Sequence, residues 1–391
     1  MSVDQVVRLR GSAWRHTRGF LPMVATAQRF AELHPGVEIE WEARSLQDFA
    51  DFSVARLAQQ YDLIVIDHPS CGQAAEEHSI VSLNDWIPAE FLAAQGASSV
   101  GGSHASYEYS GQQWALAIDA AAPVSGWRSD LLKRAGASVP RTWTELLDLA
   151  KRGLVTFPAK AIDSLMHFYM FCDCLGEAPF RKDDVVVSEE IGMRALQMLA
   201  QLLSLCDSEC LRRNPIATWE LLSTSETTAY CPFAYGYSNY SRPGYSKYPL
   251  ENGDLVTTDD GRPFRSTLGG AGLAISAHCR QKSVAANYAQ FVANPQCQST
   301  LYFDSGGQPG NRAAWVDNEV NRRCNNFFKN TLHTLDRAYV RPRYPGYLEF
   351  QERAAAVVHR YLSVGQREAE VIVELNNRLR EARSEKWRGA A

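Results

Sequence analysis

Two kinds of hydrophobic pattern alternate along the first seventy residues of the chain. Val6–Arg10 and the alternating segment Val37–Trp41 are typical of strands, and Tyr61–Asp67 is nearly all apolar, as a buried parallel strand is. Between these segments, apolar residues recur at helical spacing within Met23–Leu33 and within Leu46–Leu57. The order strand, helix, strand, helix, strand predicts the beginning of an α/β fold with a parallel sheet.

The rest of the chain continues to mix strands and helices. Pro22 is expected in the first turn of the first helix, where proline is tolerated. Tyr230–Pro249 is rich in Tyr, Gly, Ser and Pro, and this composition predicts a loop. Further strands are predicted over Trp114–Asp119, Val124–Trp127 and Leu273–Ser276, and further helices after the capping box at Thr142, over Ile191–Cys206, over Ser283–Ala293 and around Ile372–Ala382.

Composition and charge exclude several classes of protein. The 391 residues include 40 Lys+Arg and 44 Asp+Glu, which gives a net charge of −4. Because 45% of the residues are hydrophobic and 21% are charged, the chain is not of the disordered class. The mild acidity argues against a nucleic-acid partner, since phosphate backbones require a basic surface. The sequence contains no run of about 18 apolar residues, so no membrane-spanning segment is predicted.

Two alternatives remain for the cellular location of the protein. Met1–Arg10 has neither an apolar segment nor a small-residue cleavage site, so it is not a secretory signal peptide. Either the chain is cytoplasmic as written, or a leader has been removed. The nine cysteines are odd in number and spaced as C-x-C and C-x3-C, which favours buried thiols in a reducing compartment over a disulfide framework or a four-cysteine zinc site.

Polar side chains follow each of the first three predicted strands. The carboxyl ends of parallel strands meet at one edge of a sheet, which is where open α/β sheets bind ligands. Arginine offers bidentate donors to a carboxylate or phosphate, and a helix N-terminus attracts anions. The predicted ligand contacts at this edge are Trp14, His16 and Arg18 after the first strand, Arg44 and Ser45 after the second, and Asp67, His68 and Ser70 after the third.

Five of these residues also have a purely structural interpretation. The alternatives are a hydrogen-bonded loop residue for His16, a solvated charge for Arg18, an ion pair with Glu42 or Asp48 for Arg44, a helix cap for Ser45 and a chain turn for Asp67. The tyrosines between Tyr230 and Tyr248 are either core residues or a stacking platform for a ring. The convergence of the loops, and no single residue, carries the prediction of a binding site.

Sequence motifs of catalysis do not indicate an enzyme. Gly236–Tyr240 approaches a nucleophile elbow but lacks its last glycine, and Gly270–Gly272 precedes a strand, which excludes a dinucleotide fingerprint. The sequence contains no His-Glu-x-x-His zinc motif and no phosphate-binding P-loop. We therefore expect neither a catalytic residue nor a metal nor a cofactor.

Several motifs, taken in order, resemble those of the bacterial extracellular solute-binding proteins of family 1, the binding components of ABC importers. The strongest is Val139–Leu147, which is close to the pattern P-x-T-W-D-E-L of that family. The other segments that carry the resemblance are Ala25–Phe30 with His34–Ile39, Tyr61–Asp67, Gly111–Ala117, Arg128–Gly136, Gly270–Ser276 and Gly306–Pro309. The resemblance covers roughly residues 6 to 320.

The resemblance implies a periplasmic-binding-protein fold, with two α/β lobes joined by hinge strands and a ligand held in the cleft between them. Lobe 1 would comprise residues 1–118 and 270–315, and lobe 2 residues 119–269 and 316–391, with hinges near Ile118–Asp119 and Thr267–Gly269. By the same analogy, further ligand contacts would come from Asp119, Trp127, Tyr235, Tyr237, Gly270 and Gln308.

The expected function is therefore a solute receptor that closes over a small polar molecule and has an ABC permease as its partner. The segment Trp14–Arg18 is basic and aromatic, which favours an acidic ligand, such as a carboxylate or an acidic sugar derivative. The resemblance implies a periplasmic location. Two alternatives stay open on the same fold: a cytoplasmic sensor or sequestering protein, and an enzyme that uses His16, His68 and Asp67 for acid–base chemistry.

Overall fold

A computed structural model describes residues 6–44 and 53–389, and the side chains as far as residue 383. The chain is a mixed α/β protein, as predicted. Its strands are β1 Val7–Trp14, β2 Val37–Arg44, β3 Leu63–Ile66, β4 Glu108–Tyr109, β5 Gln112–Gln113, β6 Leu116–Ala121, β7 Pro123–Trp127, β8 Tyr230–Tyr235, β9 Glu251–Gly253 and β10 Gly269–Ile275.

Helices lie between and after these strands, and none of those described is long and apolar enough to cross a membrane. They are α1 Thr17–Leu33, α2 Val54–Ala58, α3 Cys71–Glu76, α4 Ala89–Ala97, α5 Ser129–Arg134, α6 Trp143–Lys151, α7 Ala161–Cys174, α8 Glu189–Ser204, α9 Pro215–Thr224, α10 Lys282–Ala293, α11 Pro295–Cys297, α12 Arg312–Val316, α13 Asn318–Arg322, α14 Phe327–Asp336, α15 Tyr347–Val364 and α16 Glu368–Gly389.

Local sequence signals placed some helix boundaries well and others poorly. Thr142 caps α6 as predicted, because its hydroxyl accepts a hydrogen bond from the amide of Glu145 at 3.3 Å. Pro22 was expected in the first turn of α1 but lies in the second turn, since the helix already begins at Thr17. The predicted cap at Ser45 and the first part of its helix lie outside the described residues.

The chain divides into two compact units, and both are built from separated stretches of sequence. Unit 1 comprises residues 1–121, 269–322 and 343–345, and unit 2 comprises residues 122–268, 323–342 and 346–391. The hinges expected near Ile118–Asp119 and Thr267–Gly269 stay a prediction.

Unit 1 contains a five-stranded sheet with the order β2-β1-β3-β10-β6. β1 pairs in parallel with β2 and β3, whereas β10 runs antiparallel to both β3 and β6. Strands β1, β2, β3 and β6 therefore point the same way, and their carboxyl ends meet at one edge, where β10 begins. One face of this sheet packs under α1 and α10 through buried residues that include Met23, Phe30, Leu273 and Tyr288.

Unit 2 contains a three-stranded antiparallel sheet with the order β8-β7-β9. Aromatic rings form the core of unit 2, and Phe171 makes T-shaped contacts with Phe233 and Phe264 at centroid distances of 5.8 Å and 5.1 Å. The prediction of a loop throughout Tyr230–Pro249 is wrong at its beginning, because Tyr230–Tyr235 forms β8. Tyrosine favours strands on a packed surface, and the buried side chain of Tyr230 serves that role.

Candidate functional site

The described polar residues that were predicted after the strands of unit 1 lie along one edge of its sheet, whereas Ser45 lies outside the described residues. Trp14, which ends β1, is in register with Arg44, which ends β2. Asp67 follows β3 directly, and Asp119 of β6 is in register with Ala271 near the beginning of β10. We call this row of strand ends, with the residues that follow it, the polar edge of unit 1.

A buried ion pair joins the two sides of the polar edge. Arg18 in the first turn of α1 is 4% exposed, and Asp119 is 1% exposed. The Arg18 Nε donates to Asp119 Oδ2 at 2.8 Å, and Nη2 donates to Oδ1 of the same carboxylate. Burial raises the pKa of Asp119, and the Arg18 charge opposes that rise. Arg18 is therefore not a solvated charge, which was its structural alternative. Its guanidinium is buried and donates hydrogen bonds to the carboxylate of Asp119.

His16 is the N-cap of α1 and is uncharged at neutral pH. Its Nδ1 accepts a hydrogen bond from the amide of Arg18 at 3.0 Å, which leaves the ring proton on Nε2. Burial, assisted by the positive charge of Arg18, lowers the pKa of His16 to about 4. His16 can therefore donate a hydrogen bond from Nε2 at the polar edge, but it does not add positive charge there.

Arg44 is held at the end of β2 by a neighbouring strand. Its Nε donates to the hydroxyl of Ser12 on β1 at 2.6 Å. Ser12 is fully buried, and the sequence analysis did not select it. A polar residue close to the end of a predicted strand was the signal that could have found it.

Asp67, His68 and Ser70 form a tight turn after β3. Asp67 Oδ1 accepts from the amide of His68 at 2.9 Å, and the Ser70 hydroxyl donates to the Asp67 carbonyl at 2.6 Å. His68 is fully buried against Tyr107, while the Asp67 side chain is 36% exposed. Of these three predicted contacts, Asp67 is the most accessible to a solute.

Trp14, one of the predicted ligand contacts, is 6% exposed and belongs to the apolar core of unit 1. Its indole covers Gly19 on α1, where a Cβ atom would come within 2.2 Å of the ring. The glycine therefore makes room for the tryptophan, and the ring positions the first turn of α1.

Gly270 and Gln308 both meet β6. Gly270 has a φ of +107°, and a Cβ atom there would lie 2.3 Å from the carbonyl oxygen of Asp119. The Gln308 side chain is 1% exposed, and its Nε2 donates to the carbonyl of Ala120 at 2.8 Å. Gly270, one of the predicted ligand contacts, therefore lies close against the backbone that carries Asp119.

Unit 2 separates Trp127 from its other two predicted contacts, Tyr235 and Tyr237. Trp127 ends β7 opposite Tyr230, whereas Tyr235 ends β8 opposite Pro123. Four residues of strand separate these positions, which is about 13 Å. Tyr235 and Tyr237 are close in the chain and half-buried, and the Tyr235 hydroxyl lies 3.2 Å from that of Thr267.

Ser238 and Asn239 are two further polar residues at the end of β8 that the sequence analysis missed. Both are buried, at 0% and 1% exposure, in the short helix Ser238–Ser241. The rule that polar groups follow strand ends could not select them, because the sequence analysis predicted a loop over Tyr230–Pro249 and missed β8. Among the described residues, no group of three or more His, Cys, Asp or Glu side chains could hold a metal ion.

The chain belongs to the bacterial extracellular solute-binding protein family, which matches residues 25–323. This confirms the resemblance on which the sequence analysis relied. No curated protein matches the chain.

Solved structures establish the same fold. Maltose-bound MalE3 of T. maritima has a TM-score of 0.81 at 18% identity, with 96% of this chain and 99% of that chain covered. An ABC transporter solute-binding protein from Agrobacterium radiobacter K84 in complex with ribitol has a TM-score of 0.80 at 19% identity, covering 96% and 98%. UgpB of Mycobacterium tuberculosis in complex with glycerophosphocholine has a TM-score of 0.78 at 17% identity, covering 97% and 99%. The fold is thus of the periplasmic-binding-protein type.

Proposed function

We propose that this protein is the solute-binding component of an ABC-type importer and binds a small polar solute. The observation that carries the proposal is the polar edge of unit 1, where strand ends bring together side chains that donate and accept hydrogen bonds. Membership of an extracellular solute-binding family supports both the receptor role and a location outside the cytoplasm.

In this proposal the solute is held between the two units, which close over it. The chain passes between them after Ala121 and Leu268, close to the hinges expected from the sequence. Closure would remove water from the solute, and each charged contact would then be stronger than in open solvent. Micromolar binding requires only about −8 kcal/mol, which a few such contacts supply.

The solute class that we propose is a sugar acid, which carries both hydroxyl groups and a carboxylate. Three solved structures with this fold contain maltose, ribitol and glycerophosphocholine, respectively, and each of these compounds carries hydroxyl groups. Because Arg18 binds Asp119 and His16 is uncharged, the carboxylate is assigned to the guanidinium of Arg44. The neutral His16 and the carboxylate of Asp67 suit the hydroxyl groups.

Titration calorimetry with glucuronate and glucose tests the proposal. We expect glucuronate to bind more tightly than glucose, and Arg44→Ala to weaken glucuronate binding tenfold or more, since a charged hydrogen bond contributes about 1.5–3 kcal/mol. Arg8→Ala is the matched control, because Arg8 lies at the opposite end of β1 in an exposed pair with Glu38.

The outcomes separate the two parts of the proposal. Tighter binding of glucose, or glucuronate binding that Arg44→Ala does not change, would contradict the assignment of an acidic solute while leaving the receptor role. If neither these compounds nor a panel of polyols, sugars and sugar acids produced heat or a thermal shift, the receptor role itself would be contradicted.

A further inference from the structure

One cavity of unit 1 lies at the edge of the sheet opposite the polar edge. Strand β10 begins at the polar edge and ends at Ile275, which is about 20 Å further along. The segment His278–Ser283, which follows β10, lines a cavity of about 500 Å³ together with Trp86. This volume is typical of sites for small molecules. We call it the basic cavity, and the proposed solute site uses none of its residues.

Positively charged side chains predominate in the basic cavity. The guanidinium of Arg280 and the ammonium of Lys282 both line it, and the exposed imidazole of His278 adds a hydrogen-bonding group. None of the described residues that line the cavity is acidic, although Asp85 precedes Trp86 in the chain. The cavity therefore favours an anion, and phosphate oxygens accept hydrogen bonds from guanidinium and ammonium groups alike.

The cations of the basic cavity have donors to offer to a ligand. Arg280 is exposed and forms no ion pair within the described part of the chain, whereas Arg8 and Arg18 of the same unit each pair with a carboxylate. The Nζ of Lys282 donates to the carbonyl of Cys279 at 2.6 Å. This bond positions the ammonium group and uses only one of its three protons.

The backbone of the basic cavity is fixed by the segments around it. The amide of Cys279 donates to the carbonyl of Ser276 at 3.1 Å, and the hydroxyl of Ser276 donates to the carbonyl of Ala58 at 2.6 Å. The amide of Ala277 donates to the carbonyl of Ser79 at 2.9 Å. The charged side chains therefore extend from an ordered loop, so less conformational entropy is lost when a ligand binds.

Trp86 supplies a flat apolar surface to the basic cavity. The residue is 38% exposed, whereas Leu83 and Ile87 on either side of it are buried in the core of unit 1. The amide of Trp86 donates to the carbonyl of Leu83 at 3.1 Å, which fixes its backbone. An exposed indole beside cations suits a flat ring that carries an anionic group, because the ring can stack on the indole while the cations bind the anion.

We propose that the basic cavity is a second ligand site, which binds a phosphate ester of a flat ring, such as a nucleoside monophosphate. In this site Arg280 and Lys282 bind the phosphate, and Trp86 stacks on the ring. The ligand is bound and released without a chemical change. Because the basic cavity and the polar edge lie at opposite edges of one sheet, each site should bind its ligand independently of the other.

Titration calorimetry of the full chain with AMP, adenosine and ribose 5-phosphate tests the two halves of the site. AMP carries both the ring and the phosphate, adenosine carries only the ring, and ribose 5-phosphate carries only the phosphate. We expect AMP to bind at least tenfold more tightly than either of the others. Since salt screens exposed charges, raising sodium chloride from about 0.1 M to 1 M should weaken the binding of AMP.

Variants of the lining residues locate the site. Trp86→Ala and Arg280→Ala should each weaken AMP binding about tenfold, and Trp86→Phe, which keeps a ring, should weaken it less than Trp86→Ala. Arg212→Ala removes an exposed arginine of unit 2 and is the matched control, which should bind AMP like the unaltered chain. Arg44→Ala, at the polar edge, should also leave AMP binding unchanged. Thermal unfolding of each variant checks that a loss of binding does not reflect a loss of fold.

Several results would overturn the proposal. Ribose 5-phosphate that binds as tightly as AMP would contradict the stacking on Trp86, and adenosine that binds as tightly as AMP would contradict the role of the cations. AMP binding that is insensitive to Trp86→Ala and Arg280→Ala, or that is lost in Arg44→Ala, would place the nucleotide outside the basic cavity. An absence of AMP binding would contradict the site altogether, and it would leave the glucuronate test of the solute site unaffected.

Discussion

Gly270 shows how a residue without a side chain shapes the polar edge of unit 1. It lies at the beginning of β10 in the left-handed region, with a φ of +107°. The backbone of β6 passes so close that a Cβ atom would lie 2.3 Å from the carbonyl oxygen of Asp119. Two independent constraints, backbone conformation and space, therefore require glycine here.

Gly270→Ala should lower the free energy of unfolding by about 1–3 kcal/mol, because alanine is strained at this φ. The loss should be larger still, because the backbone of Asp119 must also move to make room for the Cβ atom. Gly111→Ala is the matched control, because Gly111 has a φ of +72° in the same unit with nothing within 4 Å of its Cβ position. Urea denaturation of both variants separates the two causes. Equal losses for Gly270→Ala and Gly111→Ala would contradict the steric part of the argument.

At the same scale, the sequence predicted where polar residues lie but not which partner each one takes. A strand end followed by His16 and Arg18 was sufficient to place both at the sheet edge. The pairing of Arg18 with Asp119 joins residues 101 positions apart, and it depends on the order of strands in the sheet. Spacing along the chain carries no information about that order, so the neutralised charge of Arg18 could not be foreseen.

At the scale of the element, the hydrophobic pattern of the sequence did not predict α7, although this helix is deeply buried. Eleven of its fourteen residues are buried, from Asp163 to Cys174. A helix that is buried all round has no polar face, so its sequence lacks the period of 3.6 residues by which α1 and α8 were found. A helix with one solvent-exposed face can be predicted from the sequence, whereas the prediction of a central helix requires knowledge of the packing around it.

Two ionisable side chains inside α7 make the stability of the protein depend on pH. Burial raises the pKa of Asp163 from 3.8 to about 8, and burial lowers the pKa of His167 from 6.5 to about 3. Between pH 4 and 6.5, the folded chain holds one proton on Asp163 and the unfolded chain holds one on His167, so their effects cancel. Above pH 6.5 the unfolded chain has lost that proton, and Asp163 lowers the free energy of unfolding as pH rises to 8, by up to about 1.4 kcal/mol per pH unit.

Asp163→Asn should therefore change the shape of the stability profile. The variant keeps the neutral shape of the protonated carboxyl, so its stability should rise up to about pH 6.5 because of His167 and no longer fall above it. Urea midpoints measured from pH 4 to 8 for both proteins give the difference, in which the other groups cancel. Asp148→Asn, at an exposed position of α6, should leave the profile unchanged. Parallel profiles for the unaltered chain and Asp163→Asn would show that Asp163 is ionised in the folded protein.

At the scale of the whole molecule, the order of the strands is what local sequence patterns could not supply. The first three strands were predicted in sequence, and their parallel arrangement is confirmed for β1, β2 and β3. The strand that lies between β3 and β6, however, is β10, which begins at Gly269. The resemblance to a known family, rather than the pattern of residues, indicated that the chain returns to its first unit.

This return predicts that the first 121 residues do not fold alone, although they contain most of the elements of unit 1. Without β10, strands β3 and β6 each lose a neighbour, and the core loses Leu273 and Ile275 together with Tyr288 and Val292 of α10. The exposed strand edges and the missing apolar contacts should leave a fragment of residues 1–121 without a cooperative unfolding transition. A chain in which residues 1–121 are joined by a flexible linker to residues 269–322 should regain it. Tryptophan fluorescence in increasing urea measures both, since Trp14 and Trp41 lie in this core. A cooperative transition of equal midpoint in both chains would mean that β10 is an addition to a sheet that is already stable.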